Sequence, residues 1–289
     1  MRPAADIPVD VDLVARLVAR QHPDLAGPLE PVSSGWDNVL YRLGDELCVR
    51  LPHRRAAADL IENEVRWLPV LARQVPTPIP EPLRVGVPSA DFPWHWIITR
   101  WIPGTPATAL TSAERGGFAA ALADFLVALH VPASPGAPRN RVRGVPLADR
   151  SAVVRERLAG MPDAEALRSR WDDLVATPPW NGPPLWLHGD LHPGNLITDP
   201  TGQLAAVIDF GDVTAGDPAT DVAVAWLAFD PPARATFVRR LGAGVDADTW
   251  RRAEGWALNL GTALASHTDE PALAAVGRHA LVQLLDDPS

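Results

Sequence analysis

"HGDLHPGN" fills residues 188–195, and "VIDFGD" fills residues 207–212. The first stretch sets two histidines, an aspartate and an asparagine around Pro193 and two glycines. His188 and His192 stand four apart, the spacing of a helical zinc pair. However, Gly189, Pro193 and Gly194 oppose a helix, and there is neither a metalloprotease glutamate between the histidines nor a cysteine pair nearby. A plain turn built from Asp, Pro, Gly and Asn is the simpler reading of this stretch alone. The second stretch changes the balance. It places Asp209 at the end of an apolar strand, 19 residues after Asp190 and shortly before Gly211. Asp190, Asn195 and Asp209 then form a carboxylate–amide–carboxylate set. One carboxylate and one amide oxygen suit Mg²⁺, which keeps several waters and takes substrate phosphates. The other carboxylate is left to orient an attacking hydroxyl, the division of labour used in phosphoryl transfer.

Around this pair the chain divides into two kinds of sequence. "VDLVARLVAR" (11–20) has apolar residues at helical spacing. "NVLYRL" and "ELCVRL" flank a Gly44-Asp45 turn and predict a β-hairpin. On the second strand Glu46, Cys48 and Arg50 share one face, and Leu47, Val49 and Leu51 the other. A helix over 54–74, a stiff proline connector, and strands within 82–88 and 94–101 follow. "IPGTP" (102–106) reads as a linker. Beyond it, 111–130, 147–176 and most of 219–285 read as helical, with Thr111 or Ser112 as an N-cap before Glu114. "PLWLH", "NLIT" and "AAVIDF" are short strands around the opening motif. The fold class expected is α+β: a small antiparallel-sheet lobe over 1–102, a hinge near 100–104, and a larger, mostly helical lobe over 103–289.

Composition narrows the function. The 289 residues are 47% apolar, enough for a sizeable core. A net charge of −9 argues against a duplex nucleic acid partner. The single Cys48 excludes an intramolecular disulfide framework and fits a reducing compartment. With no signal peptide or long apolar run, a cytoplasmic protein without a membrane partner is expected. All 26 basic residues are arginine, so any role that calls for lysine falls to another residue.

"LHGDLHPGNLI…VIDFGD" resembles the aminoglycoside phosphotransferase family, protein-kinase-like enzymes that phosphorylate small molecules. The resemblance extends through "SSGWDNVLYRLGDELCVRLP", "ENEVRWLP", "IITRWIPG" and "GDPATDVA", most of residues 30–225. It implies a bilobal protein-kinase-like fold with Asp190 as catalytic aspartate, Asn195 and Asp209 as Mg²⁺ ligands, and ATP or GTP as donor. His188 is expected to hold the catalytic loop, and His192 to pack within it or face solvent. Asp217 and Asp221 are expected to cap helices or make lobe-stabilising pairs rather than to contact the acceptor. Ser33, Ser34, Gly35 and Asn38 are expected in a turn before the hairpin, where backbone N–H groups cradle phosphate. Arg100, Trp101 and Ile102 fall at the purine hinge. Some macrolide-phosphorylating relatives resemble the "VRLP" pattern. Arg50 stands where the family usually has lysine, and its partner is expected to be Glu64 rather than Glu62, which lies on another helix face.

The expected activity is transfer of a γ-phosphate to a hydroxyl of a small molecule, an aminoglycoside or macrolide-like antibiotic. The rivals are a metabolic kinase of choline, homoserine or an amino sugar, and a nucleotide-binding pseudoenzyme. Only 12 residues separate Asp209 from Asp221, too few for a long activation segment, so a protein substrate is not expected. Residues 1–102 carry 11 Arg and 13 acidic groups, net −2; residues 103–289 carry 15 and 22, net −7. An acidic large lobe suits a cationic acceptor. Oligomeric state is not readable.

Overall fold

The structure is a computed structural model describing residues 4–267 and 269–286. The chain forms two compact units: Met1–Gln74 with Pro78–Pro103, and Val75–Thr77 with Gly104–Ser289.

The first unit is built on a five-stranded sheet in the order β1-β2-β3-β5-β4, every neighbouring pair antiparallel. The strands are β1 (Leu29–Ser34), β2 (Asn38–Leu43), β3 (Leu47–Pro52), β4 (Pro82–Gly86) and β5 (Trp96–Arg100). Helix α1 (Val11–Gln21) starts at Asp10, whose carboxylate accepts from the Leu13 N–H at 2.8 Å. Its Leu13, Val14, Leu17 and Val18 join Val39, Tyr41, Val49, Leu51 and Ile98 in one apolar cluster. Alternation puts Cys48 and Arg50 on the opposite sheet face, the side of Glu64 on α2 (Arg55–Leu71). The sequence reading missed β1 and put Ser33 and Ser34 in a turn. They are the last residues of that edge strand, paired with Leu40 and Val39. "EPVSS" carries no apolar alternation because Glu30 to Ser34 are all exposed.

In the second unit, β7 (Leu185–Leu187) pairs with β10 (Thr214–Gly216), and β8 (Leu196–Thr198) lies between β6 (Thr105–Pro106) and β9 (Leu204–Val207). Two-residue β6 falls within the stretch read as linker, and β10 went unrecognised; both are too short for a periodic signal. The helices are α3 (Ala119–Leu129), α4 (Ser151–Leu158), α5 (Ala164–Val175), α6 (Ala219–Val222), α7 (Val224–Ala228), α8 (Pro231–Leu241), α9 (Ala247–Ala265) and α10 (Pro271–Asp286). Thr111 and Glu114 form a reciprocal capping box, but the chain runs as a 3₁₀ turn through Phe118 before α3 begins. The single helical stretch read over 147–176 is a 3₁₀ turn and two helices, broken where Asp163 takes a left-handed φ of 55°. Among the described residues, no helix is long and apolar enough to cross a membrane.

Candidate active site

In the second unit, Leu187 ends β7 and the chain turns at His188-Gly189-Asp190. His188 is fully buried. Its Nδ1 accepts from the Asp190 N–H at 3.2 Å, so its other nitrogen, Nε2, donates to the Ile208 carbonyl at 2.9 Å. The ring thus ties the loop to the residue before Asp209, and it packs on Phe210 with 4.5 Å between centroids. Gly189 has φ of +89°, and a Cβ there would lie 2.4 Å from the Asp212 carbonyl oxygen. Only glycine lets the two motifs approach this closely.

Asp221 completes the clamp. Its two carboxylate oxygens accept from the His188 and Gly189 N–H groups, each at 2.8 Å, and one lies 3.1 Å from His130 Nε2. Of the two structural roles expected, Asp221 takes the lobe-stabilising pair and not the helix cap. Asp221 lies inside α6 and holds the loop, because backbone N–H groups freed by the turn need an acceptor in a site that excludes water. Asp217 does sit before that helix, accepting from the Ala219 N–H at 3.0 Å and from Arg252 Nε at 2.8 Å.

Asn195 donates to the Asp190 carbonyl at 2.8 Å, which leaves its amide oxygen as the acceptor end. Its backbone carbonyl accepts from the Ile208 N–H at 2.9 Å, extending the β8–β9 ladder and bringing Asn195 alongside the chain entering Asp209. Asp209 is exposed, with φ of 63° and ψ of 68°. Left-handed backbone in a residue other than glycine costs on the order of 1–3 kcal/mol and concentrates at functional sites. Asn195 and Asp209 offer hard oxygen donors of the kind Mg²⁺ takes, two protein ligands with the rest left to water and phosphate. Among the described residues no group of three or more His, Cys, Asp or Glu side chains is set to hold a metal, and both ring nitrogens of His188 are engaged within the loop. His192 is buried in the loop, its Nδ1 accepting from the Gly194 N–H and its Nε2 3.5 Å from Asp190 Oδ2.

Two residues that the sequence reading passed over stand against Asp190. Arg143 Nη2 donates to Asp190 Oδ1 at 2.7 Å, and its Nε donates to Asp212 Oδ2 at 3.3 Å. Asn140 donates to the other Asp212 oxygen at 2.7 Å. Burial pushes the Asp190 carboxyl up, but Arg143, with His192 and His188, overrides it and holds the group well below the usual carboxylate range. Burial raises Asp212 instead, and the charges of Asp190 and Asp209 add to the rise despite Arg143. The "FGD" spelling was the one available signal for Asp212. Arg143 lies in a loop and gave none.

In the first unit, Arg50 Nη1 donates to Glu64 Oε2 at 2.9 Å, with their side chains 11% and 0% exposed. The Asn38 amide, turned so that its oxygen faces the guanidinium, accepts from Arg50 Nη2 at 2.9 Å and Nε at 3.2 Å. Glu62 instead lies by His95 at 3.2 Å. The Gly35 N–H closes the β1–β2 turn on the Asn38 carbonyl at 2.8 Å. At the other end of the sheet, exposed Arg100 pairs with Leu47, and the Trp101 N–H donates to the Glu46 carbonyl at 2.6 Å. Arg42 lies 5.0 Å over the Trp101 ring, and Ile102 is half-buried. The structure thus gathers Asn38, Arg50 and Glu64 in one unit, and His188, Asp190, Asn195, Asp209, Asp217 and Asp221 in the other.

The model of the APH phosphotransferase enzyme family matches residues 28–256. The chain belongs to this family. No match was found among curated proteins. Among solved structures, the chain is similar to the GDP complex of an aminoglycoside 2'-phosphotransferase-IIIa, at 19% identity over 94% of this chain and 97% of that one, with a TM-score of 0.70. A type I macrolide 2'-phosphotransferase matches at 20% identity over 99% and 100%, with a TM-score of 0.66. The apoenzyme of a macrolide 2'-phosphotransferase from Brachybacterium faecium matches at 22% identity over 96% and 99%, with a TM-score of 0.64. At such identities the likeness establishes the fold, the α+β phosphotransferase fold expected from the two motifs.

Proposed function

We propose that this phosphotransferase moves the γ-phosphate of ATP or GTP, with Mg²⁺, to a hydroxyl of an antibiotic of the aminoglycoside or macrolide kind, and so inactivates it. The observation that carries the reading is the clamped loop: Asp190, Asn195 and Asp209 are held together by His188, Gly189 and Asp221. The structural neighbours include a GDP and kanamycin complex and macrolide 2'-phosphotransferases, which supports the substrate class.

In this reading the acceptor hydroxyl hydrogen-bonds to Asp190 Oδ2, the oxygen not taken by Arg143. Its oxygen bonds to the γ-phosphorus as the bond to the nucleoside diphosphate breaks, and its proton passes to the Asp190 carboxylate. A carboxylate held this acidic is a weak base, so Asp190 contributes chiefly by orientation, and a loose phosphoryl-transfer transition state asks mainly for positioning. Asn195 and Asp209 would hold Mg²⁺, which supplies charge neutralisation at the phosphate oxygens. Arg50, locked by Asn38 and Glu64, presents a fixed cation to the nucleotide phosphates, the part lysine usually plays. Ser33, Ser34 and the Gly35 turn contribute backbone donors.

The test is release of ADP or GDP with Mg²⁺, with and without an acceptor panel of aminoglycosides, macrolides, choline and homoserine. Release stimulated by an antibiotic is expected. Nucleotide binding without stimulation by any acceptor would refute the proposal.

A further inference from the structure

The two carboxylate oxygens of Asp190 are held unequally. Oδ1 accepts from Arg143 Nη2 at 2.7 Å, while Oδ2 lies 3.5 Å from His192 Nε2. His188 and Asn195 grip the Asp190 main chain, at its N–H and its carbonyl. The last torsion of a carboxylate is broad and two-fold, so a fixed main chain still leaves the oxygens free to turn. Arg143 is itself built into place. Its Nε donates to Asp212 Oδ2 at 3.3 Å, and the Asn140 amide donates to the other Asp212 oxygen at 2.7 Å. Asn140 is set in turn: its amide oxygen accepts from the Val142 N–H at 2.9 Å, and its own N–H donates to Thr214 Oγ1 at 2.8 Å. The loop carrying Arg143 is seated on β10 and α6. There the Ala215 N–H donates to the Pro138 carbonyl at 3.0 Å, the Asp217 N–H to the Gly144 carbonyl at 3.1 Å, and the Gly144 N–H to Thr220 Oγ1 at 3.1 Å. Gly144 has φ of +65°, and a Cβ there would lie 2.8 Å from Leu187 Cδ1, so glycine lets the loop close beside the strand that leads to Asp190.

We propose that Arg143 is a positioning residue for phosphate transfer: it turns the Asp190 carboxylate so that Oδ2 meets the acceptor hydroxyl, while Asp212 and Asn140 fix Arg143. The proposal rests on the acceptor role proposed for Asp190, through which Arg143 acts. With Oδ1 anchored, one oxygen in one orientation is left for the hydroxyl. Where positioning carries the rate, a small loss of alignment at the reacting groups is costly. The side chain type matters as well. A planar guanidinium holds two carboxylates at once through separate N–H groups in a fixed geometry, whereas an ammonium is a point charge on a flexible stem.

The experiment compares wild type with Arg143→Gln, Arg143→Lys, Asp190→Ala and the double variant Arg143→Gln/Asp190→Ala. Turnover of labelled ATP or GTP with Mg²⁺ is followed with kanamycin, with erythromycin and with neither. Nucleotide affinity is read by calorimetry and folding by thermal melting. Arg143→Gln should lower kcat roughly ten- to a hundredfold while nucleotide affinity stays within about twofold of wild type, the split expected when alignment alone is lost. Arg143→Lys keeps the charge and should remain closer to Arg143→Gln than to wild type; it carries the comparison if Arg143→Gln does not melt cooperatively. In the Asp190→Ala background Arg143→Gln should cost nothing further, because residues that act as a unit are not additive. A folded Arg143→Gln at the wild-type rate, full recovery in Arg143→Lys, a loss confined to nucleotide affinity, or an equal loss in the Asp190→Ala background would each overturn the proposal. Asp190→Ala at the wild-type rate, or a wild type without turnover, would strike the proposed function and this role with it. An impaired Asp190→Ala beside an intact Arg143→Gln would strike this role alone.

Discussion

Each unit holds an arginine bound to a carboxylate, Arg50 buried and Arg143 half-buried, and the two are built differently. Arg50 sits mid-strand, gripped by Glu64 and Asn38, and its donors are shared between one charge and one neutral amide. Arg143 comes from a loop and forks between two carboxylates, Asp190 and Asp212. The first arrangement fixes a cation in place on the sheet. The second sets one cation between two carboxylates and holds Asp190 well below the usual carboxylate range. In the proposed reaction the first arginine grips the nucleotide, and the second holds the carboxylate that takes the acceptor hydroxyl.

The two regions should fail differently when altered. Asp190→Ala should cost roughly 10²–10⁴ in turnover, the range for a positioned acid–base group, while nucleotide affinity measured by titration calorimetry stays close to wild type. A loss confined to nucleotide affinity would erase the contrast between the units. Asp209→Asn should lower turnover on the order of a hundredfold, since a bound metal contributes several kcal/mol, and should move the Mg²⁺ saturation curve to higher concentration. An unchanged curve would make Asp209 a backbone device only. Arg50→Ala removes a charge-assisted contact of about 1.5–3 kcal/mol, so nucleotide KM should rise or turnover fall roughly ten- to a hundredfold. Melting must be followed alongside, because Glu64 is left buried without this partner. Arg50→Lys should recover part of the loss if charge matters more than the planar fork. The smallest effect is the coupling of Arg50→Ala with Glu64→Gln, about 0.5–3 kcal/mol in a double-mutant cycle. Strict additivity would mean that the pair does not act as one.

What could be read beforehand follows the same divide. The Arg50–Glu64 pair was legible because strand alternation and helix rotation each fix a face, and Glu62 falls on another. The Asp190, Asn195 and Asp209 set was legible because its residues punctuate short apolar strands. Arg143 was not, since its partners are 47 and 69 residues away and its loop has no period. The second unit is acidic overall, and beside Asp190 a single arginine is shared between two carboxylates while Asp217 has an arginine of its own. Asp221 was read as a cap or a lobe-stabilising partner because it stands near a helix start, and only the fold could bring it under His188 and Gly189. Strands β1, β6 and β10 were missed because exposed strands, or strands of two or three residues, carry no alternation to detect.

The central claim is that Asp190 directs an acceptor hydroxyl onto the γ-phosphate. The most direct measurement is the mass of recovered antibiotic after incubation with Mg²⁺ and ATP or GTP, using wild type and folded Asp190→Ala side by side. The account predicts a phosphate adduct on the antibiotic with the wild type, matched by nucleoside diphosphate formed, and almost none with Asp190→Ala. An adduct formed equally by both proteins, or nucleotide hydrolysed by the wild type with the antibiotic unchanged, would contradict it.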